Sequence, residues 1–152
     1  MTRIDIGRTN KLGYGAVIAL EGYVRSRVDG DLYELIKMRA SVLNGCGFCL
    51  DMHATDGAKR GIPRRKLMAV AAWQHARPMF DGRERAVLAL TDAVTRIGPD
   101  TVSDEIWDDV AQHFDDAGLG ALVLAISTIN VWNRIAVATG MEPPVDAAHP
   151  LA

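Results

Sequence analysis

The sequence predicts an all-α fold, and three observations support this prediction. Apolar residues recur at intervals of three and four along most of the 152-residue chain, the spacing of a helix face that packs against a core. Residues that favour the start or the end of a helix lie between these apolar stretches. No stretch shows the strict alternation of apolar and polar residues that is typical of a half-buried strand.

The first half of the chain is predicted to contain three helices after an irregular start. Residues 1–12 show no apolar period, so we expect an extended arm. A first helix is predicted over residues 13–27, and residues 28–31 end it and provide a cap for the next. The second helix is predicted over residues 32–43, before an Asn-Gly pair, and the third over about residues 46–59.

Two further helices are predicted next. Pro63 fits the first turn of one helix, and Pro78 ends that stretch because proline cannot continue a helix. Asp81 and Glu84 have the spacing of a capping box, which predicts the start of the following helix.

The last two predicted helices differ in polarity. Ser103 caps an amphipathic helix, and Asp115 or Asp116 opens a long helix that reaches about Thr139. Apolar residues surround most of the long helix, so we expect it at the centre of the fold or against another subunit. The tail from Met141 is expected to be irregular. The sequence therefore predicts a bundle of about six to seven helices.

Composition and charge exclude several classes of protein. The chain is 49% apolar and 24% charged, as expected for a globular protein, and its length suits a single domain. Its 17 basic and 19 acidic residues give a net charge of −2 and form no basic stripe, which argues against nucleic-acid binding. We identify no apolar stretch near the ~18 residues of a membrane span and no signal peptide, so we expect no membrane association and a cytoplasmic location.

Both cysteines of the chain lie in the motif Cys46-x-x-Cys49, and His53 follows four residues after the second cysteine. In a helix that starts near Cys46, the side chains of Cys49 and His53 occupy one face. The first thiol would lie at the helix N-terminus, where unpaired backbone N–H groups and the helix dipole stabilise a thiolate. Two thiols that can form a disulfide, beside an imidazole that can carry a proton, predict a redox site.

Two other interpretations of the cysteines compete with a redox site. The two thiols could be buried and inert, or they could bind zinc together with His53 and Glu34. Structural zinc sites usually contain two separated pairs of ligands, and the chain has no second pair of cysteines or histidines. The remaining histidines each stand alone in the sequence, which indicates surface or packing roles: His75, His113 and His149.

Two well-known uses of the C-x-x-C motif do not fit this chain. Covalent haem attachment needs a histidine directly after the second cysteine, where this chain has Leu50. The thioredoxin fold places the motif at a turn from a strand to a helix, whereas the residues before Asn44 predict a helix. The redox chemistry does not require that fold, because similar sites occur on unrelated folds.

The residues around the motif resemble the signature of the alkylhydroperoxidase D (AhpD) family, within the carboxymuconolactone decarboxylase superfamily. The resemblance lies in Glu34, eleven residues, Cys46-x-x-Cys49, three residues and His53. A later segment, Asn130 to Arg134, resembles the same group; from their position on an apolar helix we interpret its polar residues as structural or interface residues: Asn130, Trp132, Asn133 and Arg134. The resemblance implies one AhpD-like domain over residues 1–152, with a core over about residues 30–140.

The resemblance implies an antioxidant peroxidase that reduces alkyl hydroperoxides through its cysteine pair, without a cofactor or metal. By correspondence with the family, Cys49 attacks the peroxide and Cys46 resolves the product as a disulfide. Glu34 and His53 form a proton relay, although spacing alone would interpret Glu34 as a solvated helix charge. Helix-end electrostatics alone would assign the thiolate to Cys46. The resemblance also implies a homotrimer or homohexamer and an unidentified thiol electron donor.

One position departs from the family pattern. The best-studied type has a histidine immediately before the second cysteine, where this chain has Phe48. The contribution of that histidine to the relay is missing, so the lipoyl-dependent electron donor of that type is not carried over. A thiol–disulfide oxidoreductase, or a redox or metal-binding module without peroxidase turnover, is the alternative function. The decarboxylase branch generally lacks the cysteine pair, which argues against its lactone chemistry here.

Overall fold

The structure is a computed structural model that describes residues 2–99 and 102–144. Within these ranges it contains eight α-helices and no strand, which confirms the all-α prediction. The helices are α1 (Ile6–Thr9), α2 (Lys11–Arg27), α3 (Gly30–Leu43), α4 (Gly47–Lys59), α5 (Arg64–Ala69), α6 (Gly82–Thr95), α7 (Asp104–Ala111) and α8 (Asp116–Thr139). Two short 3-10 segments, Val70–His75 and Arg77–Met79, connect α5 to α6. His149 and the tail beyond residue 144 lie outside the described residues.

The prediction of an extended arm over residues 1–12 is wrong for its described part. The Asp5 side chain accepts a hydrogen bond from the backbone N–H of Arg8 at 3.0 Å, and this cap stabilises the short helix α1. Helix α2 then begins at Lys11 instead of Gly13. The short helix α1 brings the number of helices to one more than the expected six to seven.

Four other predicted helix starts, those of α3, α6, α7 and α8, coincide with side-chain caps, whereas α5 begins after Pro63 without one. Asp81 and Glu84 form a reciprocal capping box, with hydrogen bonds of 2.8 and 2.9 Å to each other's backbone N–H groups. At the starts of α3, α7 and α8, the side chains of Asp29, Ser103 and Asp115 accept hydrogen bonds from backbone N–H groups of the first turn. These caps satisfy backbone donors that no helical hydrogen bond reaches.

Helix α3 is the central element of the fold. It packs against α4, α6 and α8, and every residue from 32 to 41 is buried. Three of these residues are charged, and each is paired with a different neighbouring helix. Lys37 pairs with Glu21 of α2, Arg39 with Asp92 of α6, and Glu34 with His53 of α4. The charges can be buried because each one has a partner.

Helix α8, which we expected at the centre or against another subunit, lies at the side of α3. Its inner face packs on α2, α3 and α6, while Leu124 and Val131 remain 38% exposed and Val137 51% exposed. The expectation that no segment approaches a membrane span is wrong by length and composition, because α8 has 24 residues and contains an 18-residue stretch with a mean hydropathy of 1.5. Its buried face accounts for that apolar composition without a membrane, since a core helix is apolar for the same reason.

Candidate redox site

The two thiols lie at the junction of α3 and α4. Gly45, with a φ of +63°, turns the chain sharply after α3, a conformation that favours glycine. Cys46 then forms the N-cap of α4, and its sulfur accepts a hydrogen bond from the backbone N–H of Cys49 at 3.4 Å. Both cysteines are free thiols that are only 2% exposed. The structure therefore brings the two predicted cysteines together at a helix N-terminus.

The two thiols have opposite acidities. The Cys49 thiol donates a hydrogen bond to the Cys46 sulfur, and this bond is the main reason why the pKa of Cys46 falls from 9.0 to about 6. The Cys49 backbone N–H and the Asn133 side chain lower it further, while burial acts in the opposite direction. The same thiol–thiol bond, together with burial, raises the pKa of Cys49. The pair therefore shares one proton, which rests on Cys49 while Cys46 carries the charge.

His53 and Glu34 form a buried hydrogen-bonded pair behind the thiols. The Nδ1 atom of His53 lies 2.8 Å from Oε2 of Glu34, and the two residues are 4% and 3% exposed. His53 follows Cys49 by one helical turn on α4, so the two side chains are neighbours on one face. The structure thus brings the four predicted site residues together as two pairs, Cys46 with Cys49 and Glu34 with His53, which are linked through the positions of Cys49 and His53 on α4.

The predicted zinc ligands do not form one cluster. Within the described residues, the group of three potential metal ligands whose atoms all lie within 4.8 Å of one another consists of Glu34, His53 and Asp56. The two thiols are not part of that group, so the set of Cys46, Cys49, His53 and Glu34 is not assembled as a compact four-ligand site. Asp56 was missing from the sequence prediction, although it follows His53 by three residues and shares its helix face.

A second polar cluster, which the sequence analysis did not identify, lies beside the relay. The Lys37 ammonium group is buried, lies 2.7 Å from Oε2 of Glu21, and stands 4.7 Å from the centre of the Tyr33 ring. The Trp132 indole N–H also donates to Glu21, at 2.8 Å. Burial lowers the pKa of Lys37, while the charge of Glu21 opposes this shift. The Lys37 charge in turn favours a thiolate at Cys49.

Asn133 connects α8 to the thiols. We expected it to be a structural or interface residue; it is fully buried, and its side chain also lowers the pKa of both thiols. Its Nδ2 atom donates to Ser41 at 3.0 Å, and its Oδ1 atom accepts from Asn44 at 2.9 Å. The sequence signal was a buried amide on an apolar helix, which requires polar partners.

His75 and His113, which we expected to have surface or packing roles, are exposed.

A cavity of about 520 Å³, the thiol cavity, gives access to the site. Cys49 and His53 line one wall, whereas Cys46 is not among its lining residues. Most of the remaining wall is apolar and includes Ile18, Phe48, Met52, Trp132, Ile135 and Met141. Phe48, which replaces the family histidine, therefore provides apolar surface at this wall. Cys49 is the thiol that faces the cavity.

A neighbouring cavity of about 440 Å³, the polar cavity, adjoins the opposite side of the relay. It is lined by Glu34 and by the basic side chains of Lys59 and Arg60. Three residues line both cavities, namely Arg25, Tyr33 and Asp56. The buried Glu34–His53 pair therefore lies between two accessible spaces.

Comparisons with known proteins agree with this geometry. The carboxymuconolactone decarboxylase family matches residues 13–93 of the chain. The uncharacterized protein YdfG of Bacillus subtilis (strain 168) is 36% identical over 129 residues, which cover 84% of this chain and 87% of YdfG. The uncharacterized protein YnjA of Escherichia coli (strain K12) is 33% identical over 110 residues, which cover 72% of this chain and 59% of YnjA.

The fold is similar to the crystal structure of ATU0492 from Agrobacterium tumefaciens, a protein of unknown function proposed to be the antioxidant defence protein AhpD. The TM-score is 0.92 and the sequence identity 36%, with 96% of this chain and 100% of that chain covered. The chain therefore belongs to the carboxymuconolactone decarboxylase family, and its all-helical fold is AhpD-like.

Proposed function

We propose that the protein is a peroxidase that reduces organic hydroperoxides with its cysteine pair. The observation that carries this proposal is the position of Cys49 and His53 on the wall of one largely apolar cavity, with Cys46 and Glu34 directly behind them. An apolar cavity suits the organic part of a hydroperoxide, and the polar atoms are confined to the wall where the O–O bond must react.

The proposed reaction starts with the removal of the shared proton from Cys49. Neutral His53 accepts this proton, and the Glu34 carboxylate, which accepts a hydrogen bond from Nδ1, stabilises the resulting imidazolium. The buried Lys37 ammonium favours the thiolate that remains on Cys49. Although Cys46 holds the charge at rest, Cys49 is the thiol that meets the substrate.

The chemical steps then balance within the site. The Cys49 thiolate attacks one peroxide oxygen, the O–O bond breaks, and Cys49 becomes a sulfenic acid. The alkoxide that leaves takes the proton from His53 and departs as an alcohol. The Cys46 thiolate attacks the sulfenic sulfur, so that a disulfide forms and hydroxide leaves, to be protonated to water. A thiol electron donor must then supply two electrons and two protons: the electrons reduce the disulfide, one proton returns to the cysteine pair, and the other converts the hydroxide to water.

The burial of the thiols favours a small substrate over a protein disulfide. Both cysteines are 2% exposed, so a folded partner protein cannot bring its sulfur into contact with either of them without local opening of the helices. A small hydroperoxide, or a small dithiol donor, can reach Cys49 through the thiol cavity. For this reason the peroxidase is our first proposal and thiol–disulfide exchange with proteins the alternative.

The test is a thiol count by mass spectrometry before and after one equivalent of an organic hydroperoxide. We expect the loss of two thiols per chain, a Cys46–Cys49 disulfide, and no such reaction in Cys49→Ser. His53→Ala should slow the reaction strongly, whereas His75→Ala, at an exposed histidine far along the chain, should not. The proposal is wrong if the thiols are lost no faster than those of a model thiol.

Elemental analysis separates the peroxidase from a metal-binding module. Protein purified without added metal should contain far less than one zinc per chain if the thiols are redox groups. About one zinc per chain would instead favour a metal-binding module, if Cys46→Ser loses both the zinc and the protection that bound zinc gives the thiols against reagents.

We further propose a cytoplasmic location, because a reducing compartment keeps such a pair available as a dithiol.

A further inference from the structure

Arg25 provides an unpaired positive charge beside the thiol cavity. It lines both the thiol cavity and the polar cavity, and its guanidinium carbon lies 5.4 Å from the centre of the Tyr33 ring. In the part of the chain that the structure describes, no carboxylate forms an ion pair with it. A guanidinium held against an aromatic face, without a carboxylate partner, is available to an anionic ligand.

The carboxylates that line the thiol cavity have other partners. Glu21 accepts hydrogen bonds from Lys37 and from Trp132. Asp56 lies 3.9 Å from the Lys59 ammonium group and within 4.8 Å of the relay atoms. Since these negative charges are matched elsewhere, the Arg25 charge is the one that remains to be balanced.

Tyr33 adds a second donor at the same place. The residue is 2% exposed, and its hydroxyl is the buried side-chain polar atom without a hydrogen-bond partner among the described residues. An unpartnered buried hydroxyl is unfavourable, and a ligand acceptor that reaches it would remove this penalty. Tyr33 lines the same two cavities as Arg25, so one anionic group between them can contact both.

We propose that the substrates of this protein are organic hydroperoxides that carry a carboxylate, which binds Arg25 and Tyr33 while the apolar body fills the thiol cavity. This inference rests on the proposed peroxidase function and specifies its substrate class. A cavity of 520 Å³ is about 10 Å across, so a compact aromatic or medium-length aliphatic body fits between the carboxylate and Cys49. Arg25 and Tyr33 act in binding and take no part in the redox step.

The experiment compares three matched hydroperoxides: cumene hydroperoxide, its para-carboxylate derivative and the methyl ester of that derivative. The measured quantity is the second-order rate constant for thiol loss in the fully reduced protein, which needs no electron donor. We expect the carboxylate to react about tenfold faster than the ester, because a hydrogen bond to a charged group is worth about that factor. Arg25→Gln should bring this ratio close to one.

Two further variants test the assignment to these side chains. Arg27→Gln removes an exposed arginine of the same helix, which lies over the Tyr23 ring and outside both cavities, and should leave the ratio unchanged. Tyr33→Phe should lower the ratio about threefold. Because the hydroxyl has no protein partner, this variant should fold as stably as the wild type.

The outcomes distinguish the substrate inference from the peroxidase proposal. Equal rates for the carboxylate and the ester in the wild type, or a ratio that survives Arg25→Gln, would overturn the inference and leave the peroxidase intact. Thiols that react with none of the three compounds would overturn the peroxidase. Calorimetric binding of the para-carboxylate alcohol to Cys49→Ser, about tenfold weaker when Arg25→Gln is added, tests the anion site without any chemistry.

Discussion

Helix α3 is more deeply buried than its charged residues suggest, and helix α8 is more exposed than its apolar composition suggests. Helix α3 carries Glu34, Lys37 and Arg39, yet it is the most deeply buried helix. Helix α8 is mostly apolar, yet Leu124 and Val131 are exposed on its outer face. The position of a helix in this fold therefore depends on whether its polar groups find partners, and apolar composition alone does not decide it.

The partners of the α3 charges also explain why the site is built on this helix. Each charge binds a different helix, so α3 holds α2, α4 and α6 in fixed positions around the thiols. Helix α8 contributes the polar side chain of Asn133 to the same place, where it lowers the pKa of both thiols. Four variants test this comparison, from the largest expected effect to the smallest.

Lys37→Met should be the most destabilising variant. It leaves Glu21 partly buried without its cation, and breaking a buried pair of this kind costs about 3 kcal/mol of unfolding free energy. Urea denaturation measures the loss. The double variant Glu21→Gln/Lys37→Met should recover part of it, because no unpaired charge remains.

The matched control for this variant lies on α8. Arg134→Met also removes a cation, but Arg134 is exposed and, among the described residues, bonds to Asn130 of its own helix alone, so the change should stay within about 0.5 kcal/mol. If Lys37→Met is no more destabilising than Arg134→Met, the ion pairs do not determine the position of α3.

Glu34→Gln should affect catalysis more than stability. Glutamine keeps the size of the side chain and a hydrogen bond to His53, but it cannot stabilise an imidazolium with a negative charge. We expect the rate of thiol oxidation by an organic hydroperoxide to fall on the order of a hundredfold. Glu105→Gln, at an exposed position in the first turn of α7, should leave the rate unchanged.

The contrast between α3 and α8 also marks the limit of prediction from the sequence. Local patterns predicted the long helices and their caps, because apolar spacing and cap residues act over a few neighbouring residues. The same local spacing placed Cys46, Cys49 and His53 on one face of α4. Glu34 was assigned to the proton relay only through the family resemblance, since nothing in α3 alone separates a buried glutamate from a solvated one.

Several contacts that the sequence analysis missed join residues that are distant in the chain. Lys37 reaches Glu21 across 16 residues, and Trp132 reaches the same carboxylate across 111 residues. No periodicity encodes such pairings, because they depend on how helices pack against one another. For the same reason composition alone did not decide between the two expected positions of α8, at the centre of the fold or against another subunit.

Asn133→Ala should shift the titration of the thiol pair. In the wild type the pKa of Cys46 is about 6, so the ultraviolet absorbance of a thiolate should grow as the pH rises through 6. The Asn133 side chain helps to lower this pKa, and its removal should move the midpoint to higher pH by about one unit. At a pH just above 6 the variant should therefore contain less thiolate than the wild type.

Thr128→Val is the control for this titration. Thr128 is another buried polar residue of α8, but its hydroxyl bonds to the Leu124 carbonyl of the same helix. The midpoint should remain near pH 6 in this variant. A shift as large as that of Asn133→Ala would mean that the packing of α8, and not the amide, controls the acidity of the pair.

Substitutions on the outer face of α8 should have the smallest effect on stability and the largest effect on assembly. We propose that the protein forms a homotrimer or homohexamer and that the exposed residues Leu124 and Val131, one above the other on this face, contribute to the contact. The double variant Leu124→Lys/Val131→Lys should retain the helical content of the chain, since surface changes usually cost less than about 0.5 kcal/mol. Light scattering should nevertheless show a lower mass than for the wild type.

The control is Met68→Lys/Ile97→Lys, which adds the same two charges at apolar positions outside α8. These positions are 78% and 79% exposed, and the mass should remain unchanged. A wild-type mass of one chain, or equal masses for the two double variants, would leave the apolar outer face of α8 without a role in assembly.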